Sequence, residues 1–373
     1  MSTIDQQAAL CALNKHFGFH PRQILDALET HIGQLEPSQL EWAQQELKQI
    51  RERGFRFMSI LEEDYPAPLR DCPEPPLGLY LNGTSSPTEI FGLRPMVAFV
   101  GTRDLSSYGK AWCRKLVLAL ADAAVQPAIV SGLALGVDGV AHRTALECGL
   151  PTIGVMATGI DAIYPWQHEQ LARSMVETPG CGLLTDYPLD TQPVALNFVR
   201  RNRIIAGLVS AVVVVESKSK GGSLMTAKYA VEYNRDVFAV PGRLDDVRSA
   251  GCNSLIASQM AQIITSPEQL VDALGLGGSR RHRGAGGSWC TSQPGDPPEK
   301  VLQARLTKLY GAGSPMVAVG LTIRQQRGIG MEELAAAVGL PFAEVLSAVG
   351  QLEADGVVTT DLLRRCSLAP GWE

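Results

Sequence analysis

At 373 residues the chain is long enough for two or three domains, and its 45% apolar and 19% charged residues mark a packed globular protein rather than a disordered one. A formal net charge of −5 argues mildly against a nucleic-acid partner on average, although a local basic cluster overrides an average. No apolar run reaches the roughly 18 residues of a membrane span and no N-terminal stretch has the make-up of a secretory signal, so no membrane span is expected and the cytoplasm is the expected location.

Residues 1–54 read as a small helical accessory domain. Leu40, Ala43, Leu47 and Ile50 recur at helical spacing, Pro37 suits a first turn, and Gly54 suits the position just past the helix end. From Phe55 to Gly83 the chain turns proline-rich, with Tyr65-Pro66 and Pro73 to Pro76, and is expected to cross to the next domain as an extended entry segment. The period then changes. Val97–Val100, Ala128–Ser131, Thr152–Met156, Gly182–Thr185, Ala211–Val215, Val237–Val240 and Gln262–Ile264 are short apolar runs, mostly too continuous for strands with one wet face. Helical patterns lie between several of them: Cys113, Leu116, Val117 and Leu120 share one face, as do Ala141 and Ala145. This alternation predicts an α/β, Rossmann-like core over residues 55–272 with a mostly parallel sheet and a ligand at the carboxyl ends of the strands.

Residues 273–297 read as a flexible linker carrying Arg280, Arg281 and Arg283. Beyond it, residues 298–366 show helices near Val301–Tyr310, Met331–Val338 and Phe342–Ala354, then the β-prone Val357–Thr360, which is a winged-helix pattern. Val345, Val349 and Leu352 form the inner face of the third helix. That helix carries Glu344 and Glu353, with Asp355 just after it, and no lysine or arginine, the wrong sign for a helix laid in a major groove. A protein-contact or regulatory role is therefore expected, with Arg324, Arg327, Arg364 and Arg365 leaving DNA contact through the flanks open. The eight cysteines are scattered, with no pair at zinc-finger or thioredoxin spacing, and read as buried small hydrophobes; no metal or cofactor is expected.

The loops after the strands carry the chemistry. Gly101-Thr102-Arg103 ends the first predicted strand of the core and leads to a helix start at Ser106, Ser107 and Tyr108, where backbone N–H groups and an arginine can hold an anion. It is neither a dinucleotide fingerprint nor a Walker A loop. Ser131-Gly132 opens a second glycine-bearing turn toward Gly136-Val137-Asp138; Asp138 reads as a carboxylate that organises the loop, and His142 as a packed, hydrogen-bonded histidine. Arg200, Arg201 and Arg203 cannot all be buried unpaired, with Asn202 placed to anchor a turn. Lys218, Lys220, Gly222 and Ser223 open another helix, and Pro241-Gly242-Arg243 ends the sixth strand of this series. Arg103, Arg200, Arg201, Arg203, Lys218, Lys220 and Arg243 together exceed what one diphosphate needs, and a strip of such seats suits a polymer of phosphates. No catalytic residue is assigned. A hydrolase acting on a nucleotide or sugar phosphate is the alternative, for which Asp138 is the one candidate carboxylate; a protein-binding scaffold is a third reading.

These same residues carry a family likeness. Gly101-Thr102-Arg103, Ser131 to His142, Gly159 to Pro165, Arg201 to Leu208, Gly222 to Ala227 and Arg235 to Gly242 resemble, in order, the DNA-processing protein A (Smf) family. Tyr65-Pro66 and Leu79-Tyr80 are similar to its entry segment. The resemblance implies a single-stranded DNA binder that loads the RecA recombinase during natural transformation, a homodimer, a sterile-alpha-motif-like N-terminal domain and, in many members, a C-terminal winged helix. It implies phosphate contacts at Arg103 and Arg200. The sequence departs from the pattern at Thr185-Asp186, where Ser-Glu is usual, at His168, where asparagine is common, and in lacking a helix-hairpin-helix glycine pattern near the N-terminus.

Overall fold

The computed structural model describes residues 3–17, 21–92, 94–277, 302–303, 306–307, 309–311, 313–326, 328–355, 357–360 and 365–368. Arg280, Arg281, Arg283, Cys290, Arg327 and Arg364 lie outside the described residues. The chain divides into two units, Met1–Gly284 and Ala285–Glu373.

The first unit is built on strands β1 (Arg56–Ser59), β2 (Gly78–Asn82), β3 (Met96–Val100), β4 (Ala128–Ser131), β5 (Thr152–Val155), β6 (Gly182–Thr185), β7 (Ala211–Val214), β8 (Asp236–Ala239) and β9 (Gln262–Ile263). They form one nine-stranded sheet in the order β1-β2-β6-β5-β4-β3-β7-β8-β9. Pairings from β6 through β9 are parallel, as the continuous apolar runs predict. Alternate residues of one strand enter different cores: Met96, Ala98 and Val100 pack on one face of the sheet, Val97 and Phe99 on the other. Helices Ala195–Leu208 and Ser223–Glu232 cover the first face, and Ser107–Ala121 and Val137–Glu147 the second. The fold class is α/β with a mostly parallel sheet.

The proline-rich entry segment does more than cross between domains. β1 pairs antiparallel with β2, and β2 pairs antiparallel with β6, so the segment lengthens the sheet by two strands. The helices before it close over this end. Ala8, Cys11, Ala43, Leu47 and Ile50 pack with Phe57 of β1 and Tyr80 of β2. Pro37 begins the helix Pro37–Glu52, and Gly54 just beyond it has a φ of +79°, which suits glycine. No single helix among the described residues is long and apolar enough to cross a membrane.

In the second unit, helices Pro315–Gln325, Met331–Val338 and Phe342–Ala354 pack with a small antiparallel sheet of Ile329–Gly330, Arg365–Leu368 and Val358–Thr360. Val345, Val349 and Leu352 are buried, as their spacing predicts. Of the expected helix Val301–Tyr310, the described residues are helical and Val301 lies outside them.

Candidate nucleic-acid interface

The strand order reverses at β3: the chain runs outward through β4, β5 and β6, then returns to place β7 on the other side of β3. Such a switch point opens a crevice at the strand ends. Here it is a cleft of about 670 Å³ lined by the loop after β3, the loop after β7 and the helix Ala195–Leu208 that connects β6 to β7.

The loop after β3 turns away at Gly101, where a Cβ would stand 2.4 Å from Val137 Cγ2 and 2.9 Å from the Glu216 carbonyl oxygen. Glycine is needed for this approach. Arg103 follows, exposed, with its guanidinium 5.1 Å from the ring centre of Phe198. The helix that begins here is not an open anion seat. The buried carboxylate of Glu216 accepts from the Ser106 N–H at 3.0 Å and from the Ser106 hydroxyl, so the chain's own anion occupies that N-terminus.

The helix Ser223–Glu232 supplies a different N-terminus. Gly222 stands before it with no atom within 4 Å of where a Cβ would be, and Ser223 Oγ donates to Ser217 Oγ at 2.9 Å. Lys218 and Lys220 are exposed on the loop leading to it; Lys218 Nζ lies 3.9 Å from Asp104. Asn202 ties this loop to the connecting helix, donating to the Gly222 carbonyl at 3.3 Å.

Arg200 to Arg203 form part of a helix rather than a turn, and a rotation of about 100° per residue sends them apart. Arg201 is 5% exposed at the cleft floor, donating to the Val155 carbonyl. Its neighbour is Asp138: a Cβ on Gly132 would meet Arg201 Nη1 at 2.1 Å and Asp138 Oδ2 at 2.4 Å. Asp138 also accepts from the Ala134 N–H at 3.2 Å. Burial raises the Asp138 carboxyl and lowers Arg201, while each charge pulls the other back toward its ionised form. Arg203 pairs with Asp186 at 2.7 Å and donates to the Glu74 carbonyl at 2.8 Å, away from the cleft. Half-buried Arg200 is outside the lining, and its charge acts on Asp186 and Tyr187.

Gly101, Arg103, Arg201, Lys218, Lys220, Gly222 and Ser223 thus meet at one cleft, and Ser131, Gly132, Arg200, Arg203 and Arg243 are outside its lining. Ser131 is buried, its hydroxyl donating to the Phe99 carbonyl at 2.5 Å. Arg243 makes two bonds of 2.9 Å to Asp245. His142 is fully buried, with Nε2 on the Gly132 carbonyl and Nδ1 2.7 Å from the Thr152 hydroxyl; burial pushes its pKa down to about 4. Phe198, two residues before the arginine run, is not among the residues singled out from the sequence. It packs edge-on against exposed Tyr164, ring centres 5.6 Å apart, and extends the cleft as an apolar shelf toward Leu135 and Pro165.

Four cations against two carboxylates make this lining positive in an acidic chain: Arg103, Arg201, Lys218 and Lys220 against Asp104 and Asp138. Residues 56–275 match the model of the family described as DNA recombination-mediator protein A. The chain belongs to that family. It is 34% identical over 340 residues to Protein Smf of Synechocystis, covering 84% of this chain and 80% of that one. The solved DNA processing protein A of Streptococcus pneumoniae is similar at 31% identity with a TM-score of 0.59, covering 72% of this chain and 95% of that one. The Helicobacter pylori DNA processing protein A, whose structure concerns a single-stranded DNA binding mode, is 30% identical with a TM-score of 0.52, covering 59% of this chain and 95% of that one.

Proposed function

We propose that this chain binds single-stranded DNA in the switch-point cleft and delivers it, as a homodimer, to a RecA recombinase during transformation. The observation that carries the binding step is the convergence of Arg103, Lys218 and Lys220, all exposed, with the first turn of the helix Ser223–Glu232 on one cleft. Backbone phosphates sit on these cations, with Arg200 on the flank. Phe198 and Tyr164 offer flat faces to unpaired bases, which every base can use, so recognition is tolerant of sequence. Arg201 and Asp138 serve as the floor that holds the loops in place. The family to which the chain belongs and its Helicobacter relative support this reading.

Binding without chemistry is the mode proposed, since Asp138 is held by the Ala134 N–H and buried beside Arg201. Titrating labelled oligo-dT with the full chain at low salt, and incubating the chain with nucleoside monophosphates, tests both halves. A saturable shift without release of free base is expected. No shift at low salt, or release of base, overturns the proposal.

A further inference from the structure

We infer that the loop Pro241–Ser249 is an apolar wedge that packs against unpaired bases of the strand held in the cleft; this rests on the single-strand reading above. The loop follows β8 and is fastened at its stem: Gly242 N–H donates to Asn253 Oδ1 at 3.1 Å, Asn253 Nδ2 returns a bond to the Gly242 carbonyl at 3.0 Å, and the Tyr108 hydroxyl donates to the Pro241 carbonyl at 2.6 Å. Its charged side chains cancel within the loop, Arg243 with Asp245 at 2.9 Å and Arg248 with Asp246 at 3.3 Å. Two apolar side chains are left projecting, Leu244 at 95% exposure and Val247 at 67%.

Holding a leucine almost wholly in water on a fastened loop forgoes its burial energy unless something covers it. Val247 is itself part of the cleft wall, which places this loop at the rim beside Lys218 and Lys220, with Leu244 projecting beyond the lining. With two arginines matched by two carboxylates, this edge carries no net charge, which suits it less to phosphate than the lysine-bearing loop and more to the apolar faces of bases. A strand whose phosphates rest on Lys218 and Lys220 therefore turns bases toward Leu244 and Val247. Apolar side chains that meet bases in this way are a recurrent device in DNA-binding proteins.

The test uses the full chain, oligo-dT and an oligonucleotide of equal length whose bases are removed from the sugars. Leu244→Ala/Val247→Ala is expected to weaken oligo-dT binding roughly tenfold with an unchanged salt slope, and to bind the abasic strand as the wild type does. Wild-type affinity for oligo-dT in the double variant overturns the inference and leaves the cleft reading standing. A change of oligomeric state in the variant with oligo-dT affinity intact also overturns it, assigning the tip to a second copy. Failure of the wild type to bind oligo-dT removes the cleft reading itself and the wedge with it.

Discussion

Replacing Arg201 with methionine separates a strut from a ligand contact. The side chain is 5% exposed, bonds to the Val155 carbonyl and faces Asp138 across Gly132. Its removal leaves Asp138, 8% exposed, with the Ala134 N–H, the Ser131 side chain and the weaker pull of exposed Arg103. Leaving a buried carboxylate without the cation it faces costs roughly 3–5 kcal/mol. At roughly 2–4 °C per kcal/mol for a large domain, Tm should fall by about 6–20 °C. The pH dependence has a definite sign. Asp138 is already raised above its ordinary 3.8 by burial, and losing Arg201 raises it further. A carboxyl raised on folding holds more protons folded than unfolded, so its favourable contribution is complete at low pH and is lost as pH rises through the folded pKa. The deficit of Arg201→Met should therefore grow as pH rises above the ordinary carboxylate range, and Asp138→Asn in the same chain should remove that growth. Thermal unfolding followed by circular dichroism, with oligo-dT affinity measured well below Tm, reads both effects. A variant with wild-type Tm and a large loss of DNA affinity would refute the reasoning and make Arg201 a phosphate ligand.

His142 is neutral when folded, with its pKa pushed down to about 4 from 6.5. Stability should fall as pH drops from 6.5 toward 4, by up to roughly 3 kcal/mol, because the unfolded state takes up the proton first; denaturant titrations in which His142→Gln keeps the wild-type slope over that window would count against it. Phe198→Ala should lose about 1–3 kcal/mol of strand affinity with its salt slope unchanged, the mark of a base contact rather than a phosphate contact. Arg243→Ala/Asp245→Ala should leave the salt slope unchanged, since Arg243 is bonded to Asp245 and outside the cleft lining; a lower slope in fluorescence titrations would bring Arg243 into the phosphate path.

The parallel sheet was legible because strands covered on both faces need continuous apolar runs, and Val97–Val100 or Ala211–Val214 leave no wet face to interrupt them. β1 and β2 were hidden by the prolines between them, which signal a path and not a pairing. The loops at Gly101 and Gly222 were legible because close approach and a helix start both leave a glycine signature. The arginine run was harder. Read as a turn, Arg200, Arg201 and Arg203 form one cluster; as part of the helix Ala195–Leu208 they point in different directions, and Arg201 and Arg203 become internal supports. Glu216 capping Ser106 joins residues 110 apart in sequence, which no local pattern encodes. Phe198 acquires its place only when the connecting helix lies across the strand ends.

The measurement that bears most directly on the cleft as a phosphate seat is the salt dependence of binding to an oligo-dT short enough to span one cleft. The wild type is compared with Arg103→Ala/Lys218→Ala/Lys220→Ala. Every phosphate left without its cation should lower the log–log slope by about 0.7, so the triple variant should fall short of the wild-type slope by roughly 2. A triple variant with the wild-type slope and affinity would place the strand elsewhere on the molecule.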